Sequence, residues 1–98
     1  IDIMREEKLL KPIELGSVVF SRAGRDAGRF FIVIEIVDDN YVMIADGDIR
    51  RLSKPMKKKI KHLKATGDIN QKIKEKLLEK KIIYDAEIYS IIRRYNSQ

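Results

Sequence analysis

The chain of 98 residues contains no cysteine and no tryptophan, one histidine, two prolines and five glycines. Without cysteine there is no disulfide framework and no thiolate metal site. A single imidazole with no thiol beside it leaves little material for a catalytic or metal-binding constellation, so the residues assemble no enzyme, metal site or cofactor site. No apolar run approaches the roughly 18–20 residues that a membrane-spanning helix needs, and no charged n-region followed by an apolar h-region is present. A membrane partner is therefore not expected, and the absence of cysteine suits a reducing cytoplasm. The first residue is Ile1, and Met4 is read as the native start.

What is present is a folded domain's worth of apolar residues (44%) beneath a heavily charged surface (37% Asp, Glu, Lys and Arg). The length fits one small domain and excludes two. Formal charge is +6, but its distribution is uneven. Residues 1–50 carry a net −3 and residues 65–98 a net +2, whereas residues 51–64 hold seven Lys or Arg and no acid. An excess so concentrated reads as a contact surface for a polyanion, since nothing within the segment can neutralise it.

Residues 1–11 show no clear period and read as an N-terminal tail. Extended segments follow: Ser17 to Ser21, closed by Gly24; Phe30 to Val37, bounded by Asp38-Asp39-Asn40; and Tyr41 to Ala45. Asp46-Gly47 is a hairpin signal before a further segment, Ile49 to Leu52. A fifth strand is expected through Lys59-Ile60-Lys61-His62-Leu63. Short strands at this spacing with no helix between them predict a small antiparallel barrel over residues 12–64. The period then changes. Asp68 with Gln71 resembles a capping box ahead of Ile69, Ile73 and Leu77, and a second helix is expected from Asp85 with Ile88, Ile91, Ile92 and Tyr95 on one face. Residues 65–98 thus form a C-terminal segment of two short helices.

Two constellations carry the functional reading. In the first, Gly24 and Gly28 shape a loop between strands, and Arg22, Arg25 and Arg29 surround it; each arginine can grip a phosphate bidentately or stack on a base. The plain alternative is a β-turn with solvated arginines. The second runs from Arg50 to Lys64. Lys57, Lys59 and Lys61 alternate and would share one face of a strand, with Lys58, Ile60 and His62 on the other. Such a row follows phosphates rather than reading bases, and Lys57, Lys58, Lys59, Lys61 and Lys64 are expected to supply most of the RNA affinity. Arg50, Arg51, Lys54 and Lys64 extend it, and His62 is expected to stack or hydrogen-bond beside the lysines. Phe20, Phe30 and Phe31 read first as packing residues, with base stacking as the lesser alternative. The turn acids Asp38, Asp39, Asp46 and Asp48 are explained by Asx chemistry.

Gly24-Arg25-Asp26-Ala27-Gly28-Arg29 between two apolar strands resembles the KOW motif of SH3-like barrels. With Ala45-Asp46-Gly47, Arg50-Arg51-Leu52, Lys54-Pro55 and Lys61-His62-Leu63, the arrangement is similar to short bacterial KOW-domain RNA-binding proteins. These in turn resemble the fourteenth-numbered large-subunit ribosomal protein of archaea and eukaryotes. The resemblance implies a mainly β, SH3-like five-stranded barrel of KOW type with two short C-terminal helices. It implies a monomeric, non-catalytic, cytoplasmic RNA-binding protein on large-subunit ribosomal RNA, with ribosomal proteins as neighbours and no small-molecule substrate. Ala27 departs from the lysine common at that loop position. The competing expectation is an SH3-like protein-interaction adaptor in transcription elongation or ribosome assembly, with its interface on the C-terminal helices.

Overall fold

A computed structural model describes residues 13–97, so the expected tail at residues 1–11 and the reading of Met4 as a start lie outside the described residues. Strands β1 (Ser17–Ser21), β2 (Phe30–Ile36), β3 (Tyr41–Ala45), β4 (Met56–Lys59) and β5 (Leu63–Ile69) are followed by helices α1 (Gln71–Leu78) and α2 (Asp85–Asn96). The strands form one antiparallel sheet in the order β4-β3-β2-β1-β5. This is the expected mainly β, SH3-like barrel with two C-terminal helices.

The near-continuous apolar runs of β1 and β2 exist because both faces of those strands are buried. Val19, Phe31 and Val33 point into the barrel, where Val42, Ile44 and Leu63 meet them. Val18 and Ile32, their neighbours in sequence, point outward and are covered by Ile73 of α1 and Ile88 and Ile92 of α2. Burying those three isoleucines contributes roughly 4–9 kcal/mol before entropy, comparable with a small domain's whole net stability. Asn96 fixes the end of α2 to the sheet: its Oδ1 accepts the Phe30 N–H at 2.8 Å and its amide donates back to the Phe30 carbonyl at 3.3 Å.

Three expectations about local structure are corrected. No strand forms over 49–52. Asp46 Oδ1 accepts the N–H groups of Asp48 and Arg50, at 3.0 and 2.8 Å, which curls the chain, and the Leu52 N–H donates to Asp85 on α2 at 2.7 Å. The segment is a loop docked on a helix, and the fourth strand is Met56–Lys59 instead. The strand expected through Lys59 to Leu63 is broken by a 3-10 turn at Ile60–His62, whose Ile60 N–H donates to Asn40 O at 2.8 Å. The last strand begins at Leu63 and runs past the expected barrel limit at residue 64. Asp68 does not cap α1 either. Pairing of Ser17 with Ile69 holds the chain extended to that point, and the cap is Asn70, whose side chain accepts the Ile73 N–H at 2.9 Å. Asp68 instead accepts the Tyr95 hydroxyl at 2.7 Å; burial first, then this bond, raises the Tyr95 phenol above its ordinary pKa.

Helix α2 opens as its sequence suggests, with Glu87 accepting the Tyr84 N–H. Glu87 also receives Lys76 of α1, and that bond foremost, with the Tyr84 N–H second, holds its carboxyl below the usual range. A lowered folded pKa means the contribution is complete above the ordinary carboxylate value, about 4.3, and is lost as pH falls through the folded value. Acidification is therefore expected to lower the thermal midpoint of the native chain more than that of Glu87→Gln, measured in parallel melts between neutral pH and about pH 3.

Candidate nucleic-acid interface

The loop between β1 and β2 is closed by backbone bonds, Gly28 N–H to Ser21 O and Ser21 N–H to Arg29 O, both 2.9 Å. Gly24 and Gly28 hold φ of +90° and +91°, a region in which an L side chain is strained. The loop is also latched from outside. Lys58 Nζ donates to Ala23 O at 2.6 Å and to Asp26 Oδ1 at 3.0 Å, with both charged side chains only 10% exposed. Lys58 is the inward member of the lysine row, as its alternation with Lys57 and Lys59 requires, and it braces the loop from within the protein.

The remaining cations distribute around this latch. Arg25 is exposed near the loop tip. Arg22 donates its backbone N–H to His62 O and its guanidinium to Lys61 O, each at 2.9 Å, which brings Arg22, Lys61 and His62 to one end of the barrel. Lys57 and Lys59 project from β4; across the ladder stand Met43 and Tyr41, neither of them anionic. Lys57 Nζ lies 4.8 Å from the Tyr41 ring centre, a cation–π contact that leaves the ammonium in water. A cleft of about 500 Å³ lined by Asp39, Asn40, Tyr41, Lys59, Ile60 and Lys61 continues the strip. Because the 3-10 turn interrupts the strand, Lys61 reaches this surface by a change of direction and not by the expected alternation. Lys64 is exposed on β5 opposite Phe20.

Arg29, Arg50, Arg51 and Lys54 stand apart from that strip. Arg29 lies 3.4 Å from the carboxylate of Asp46, which is almost fully buried, so part of its charge is already answered. Arg50 closes the Asp46 loop through its carbonyl, and Arg51 and Lys54 are exposed on the same loop, beside α2. The Asx role expected of Asp46 is present in its bond from the Asp48 N–H, while sequence reasoning missed Tyr41, the Lys58–Asp26 pair and the contact of Arg29 with Asp46. Only the alternation that turns Lys58 inward was available as a signal. Among the described residues no group of three or more His, Asp or Glu side chains is arranged to hold a metal, and no helix is long and apolar enough to cross a membrane.

No family model matches the chain. Curated relatives do. The large ribosomal subunit protein eL14 of Desulfurococcus amylolyticus is 41% identical over 54 residues, 55% of this chain and 56% of the relative. That of Pyrobaculum arsenaticum is 31% identical over 84 residues, 86% of this chain and 81% of the relative. That of Methanococcus vannielii is 38% identical over 39 residues, 40% of this chain and 49% of the relative. The chain thus spans about half the length of two of these relatives and four fifths of the third.

Proposed function

We propose, given that this chain belongs to the eL14 family of large ribosomal subunit proteins, that it is a non-catalytic ribosomal component that binds structured ribosomal RNA of the large subunit. The observation that carries the RNA reading is the cationic strip of exposed Lys57, Lys61 and Arg22 with half-buried Lys59, which has no acid opposite it on β3. Arg25, at the tip of the KOW-like loop, continues the strip, and Lys64 and His62 flank it. Arg29, Arg50, Arg51 and Lys54 form a second, partly neutralised group that follows the RNA backbone more weakly. Lys58 contributes by holding the loop rather than by meeting phosphate.

Phosphate contacts release counterions, so each lysine on the strip steepens the salt dependence of binding by roughly 0.7–0.9 in the log–log slope. Replacing Lys57, Lys59 and Lys61 together by Gln is expected to weaken binding to every structured RNA tested and to lower the slope magnitude by roughly two to three. The measurement is a titration of a large-subunit ribosomal RNA fragment across a KCl series. An unchanged slope would mean that the strip is solvated in the complex. Ribosomal-protein neighbours are supported by a separate observation: Leu78 at the end of α1, and Ile82 and Tyr84 on the connection to α2, are 61%, 72% and 64% exposed.

A further inference from the structure

Phe20 and Phe30 face each other across the β1–β2 ladder, with ring centres 5.0 Å apart and planes tilted by 60°. Tyr95 of α2 continues the row, 5.5 Å from Phe30. One end of the row lies under the helices, where Phe30 and Tyr95 pack against the isoleucines of the outer core. The other end is Phe20, only half-buried at the edge of that core. Beside it opens a groove of about 330 Å³ lined by Phe20, Phe30, Lys64, Ala65 and Thr66, within the size range of small-ligand pockets. Among the described residues the only charge on its lining is the Lys64 ammonium, and Arg22 follows Phe20 by two residues on the same chain.

An aromatic face held rigid from behind, with a cation on its rim, suits one chemical class: a flat heteroaromatic ring attached to a phosphate. We propose that this groove takes an unpaired nucleobase stacked on Phe20, with the nucleotide's phosphate on Lys64. The proposal rests on the RNA-binding reading and deepens it. Bases splayed from loops and bulges are those a protein can stack upon, because paired bases in an A-form helix present no free face. Charge favours a nucleotide over an apolar peptide as the occupant. Lys64, Arg22 and Lys61 border the same end of the β1–β5 ladder, and the nearby acid Asp68 is engaged by the Tyr95 hydroxyl.

The test compares two polyanions on the full chain: poly(A), which offers bases, and heparin, which offers charge without them. Stacking is worth a factor of roughly five to a hundred per base. Phe20→Leu keeps an apolar side chain in the groove but no π-face. It is expected to lose about that factor on poly(A), with heparin affinity and salt slope unchanged, while Phe20→Tyr keeps native affinity for both. Should Phe20→Leu bind poly(A) as the native chain does, or lose heparin binding in step, the stacking site is overturned and the groove is left to an apolar protein segment. Should the native chain bind neither polyanion, the RNA-binding reading itself fails, and that outcome is distinct from the first.

Discussion

Gly47→Ala is expected to be the most destabilising single-methyl change in the protein. Gly47 has φ +78°, and a Cβ there would sit 2.3 Å from the Asp85 carbonyl oxygen and 2.6 Å from the Tyr89 nitrogen. Both are backbone atoms of α2, so relief requires lifting the helix off the sheet, and the helix carries Ile88 and Ile92 of the outer core. Backbone strain and overpacking together suggest a loss of about 3–6 kcal/mol, enough to lower the melting temperature of a domain this size by about 12 °C or more. Gly28→Ala is the control. Its φ is equally positive at +91°, but no described atom lies within 4 Å of the added carbon, so only the strain of about 1–2 kcal/mol applies. Thermal melts of the two variants side by side decide the matter. Equal losses would mean that the Asp46 loop does not press on α2 as described.

Lys58→Gln is expected to behave unlike Lys57→Gln, although the two lysines are adjacent. Removing Lys58 leaves the Asp26 carboxylate buried with its counter-charge gone, and Asp26 Oδ2 already has no hydrogen-bond partner among the described residues. Breaking one side of such a pair costs roughly 3–5 kcal/mol, whereas replacing both partners by neutral groups costs much less. Lys57, exposed beside Tyr41, should change stability by no more than about 0.5 kcal/mol. The expected pattern in urea melts is therefore a large loss for Lys58→Gln, partial recovery on adding Asp26→Asn, and almost no change for Lys57→Gln. In RNA titrations the salt slope should drop for Lys57→Gln. A purely additive double mutant would show that the pair is not coupled.

The strands read most clearly were those with both faces buried. At Phe30 to Ile36 the successive burial of Phe31, Ile32 and Val33 requires a strand covered on both faces, whereas Tyr41 to Ala45 is legible from Val42 and Ile44 on its barrel face. The errors cluster where a distant residue decides the local outcome. Asp46-Gly47 carries a hairpin signal, yet the same glycine serves a close approach to α2, and the helix cannot be seen from that dipeptide. Asp68 has the spacing of a helix cap, but β1 captures the chain as far as Ile69 and passes the role to Asn70. For the candidate site, alternation separates Lys58 from Lys57 and Lys59 but does not say which side faces the protein. The division between outward Lys57 and Lys59, inward Lys58, and Arg29 answered by Asp46 depends on partners 17 to 32 residues away.

The pairing of β1 with β5 joins residues more than forty apart in the chain, Ser21 with Leu63 and Ser17 with Ile69. Closing so long a loop is expected to come late and to slow folding relative to a domain of local contacts, which stopped-flow refolding would measure. Until β5 arrives, β1 offers Val18-Val19-Phe20 along an open edge, a sticky template for a second unfolded molecule. The acid-free stretch 51–64 immediately precedes the missing strand and includes its first two residues. Seven like charges, Arg51 and six lysines, travel with that edge and are expected to repel a neighbouring copy during the interval when the edge is bare, a gatekeeping effect against aggregation that precedes any partner.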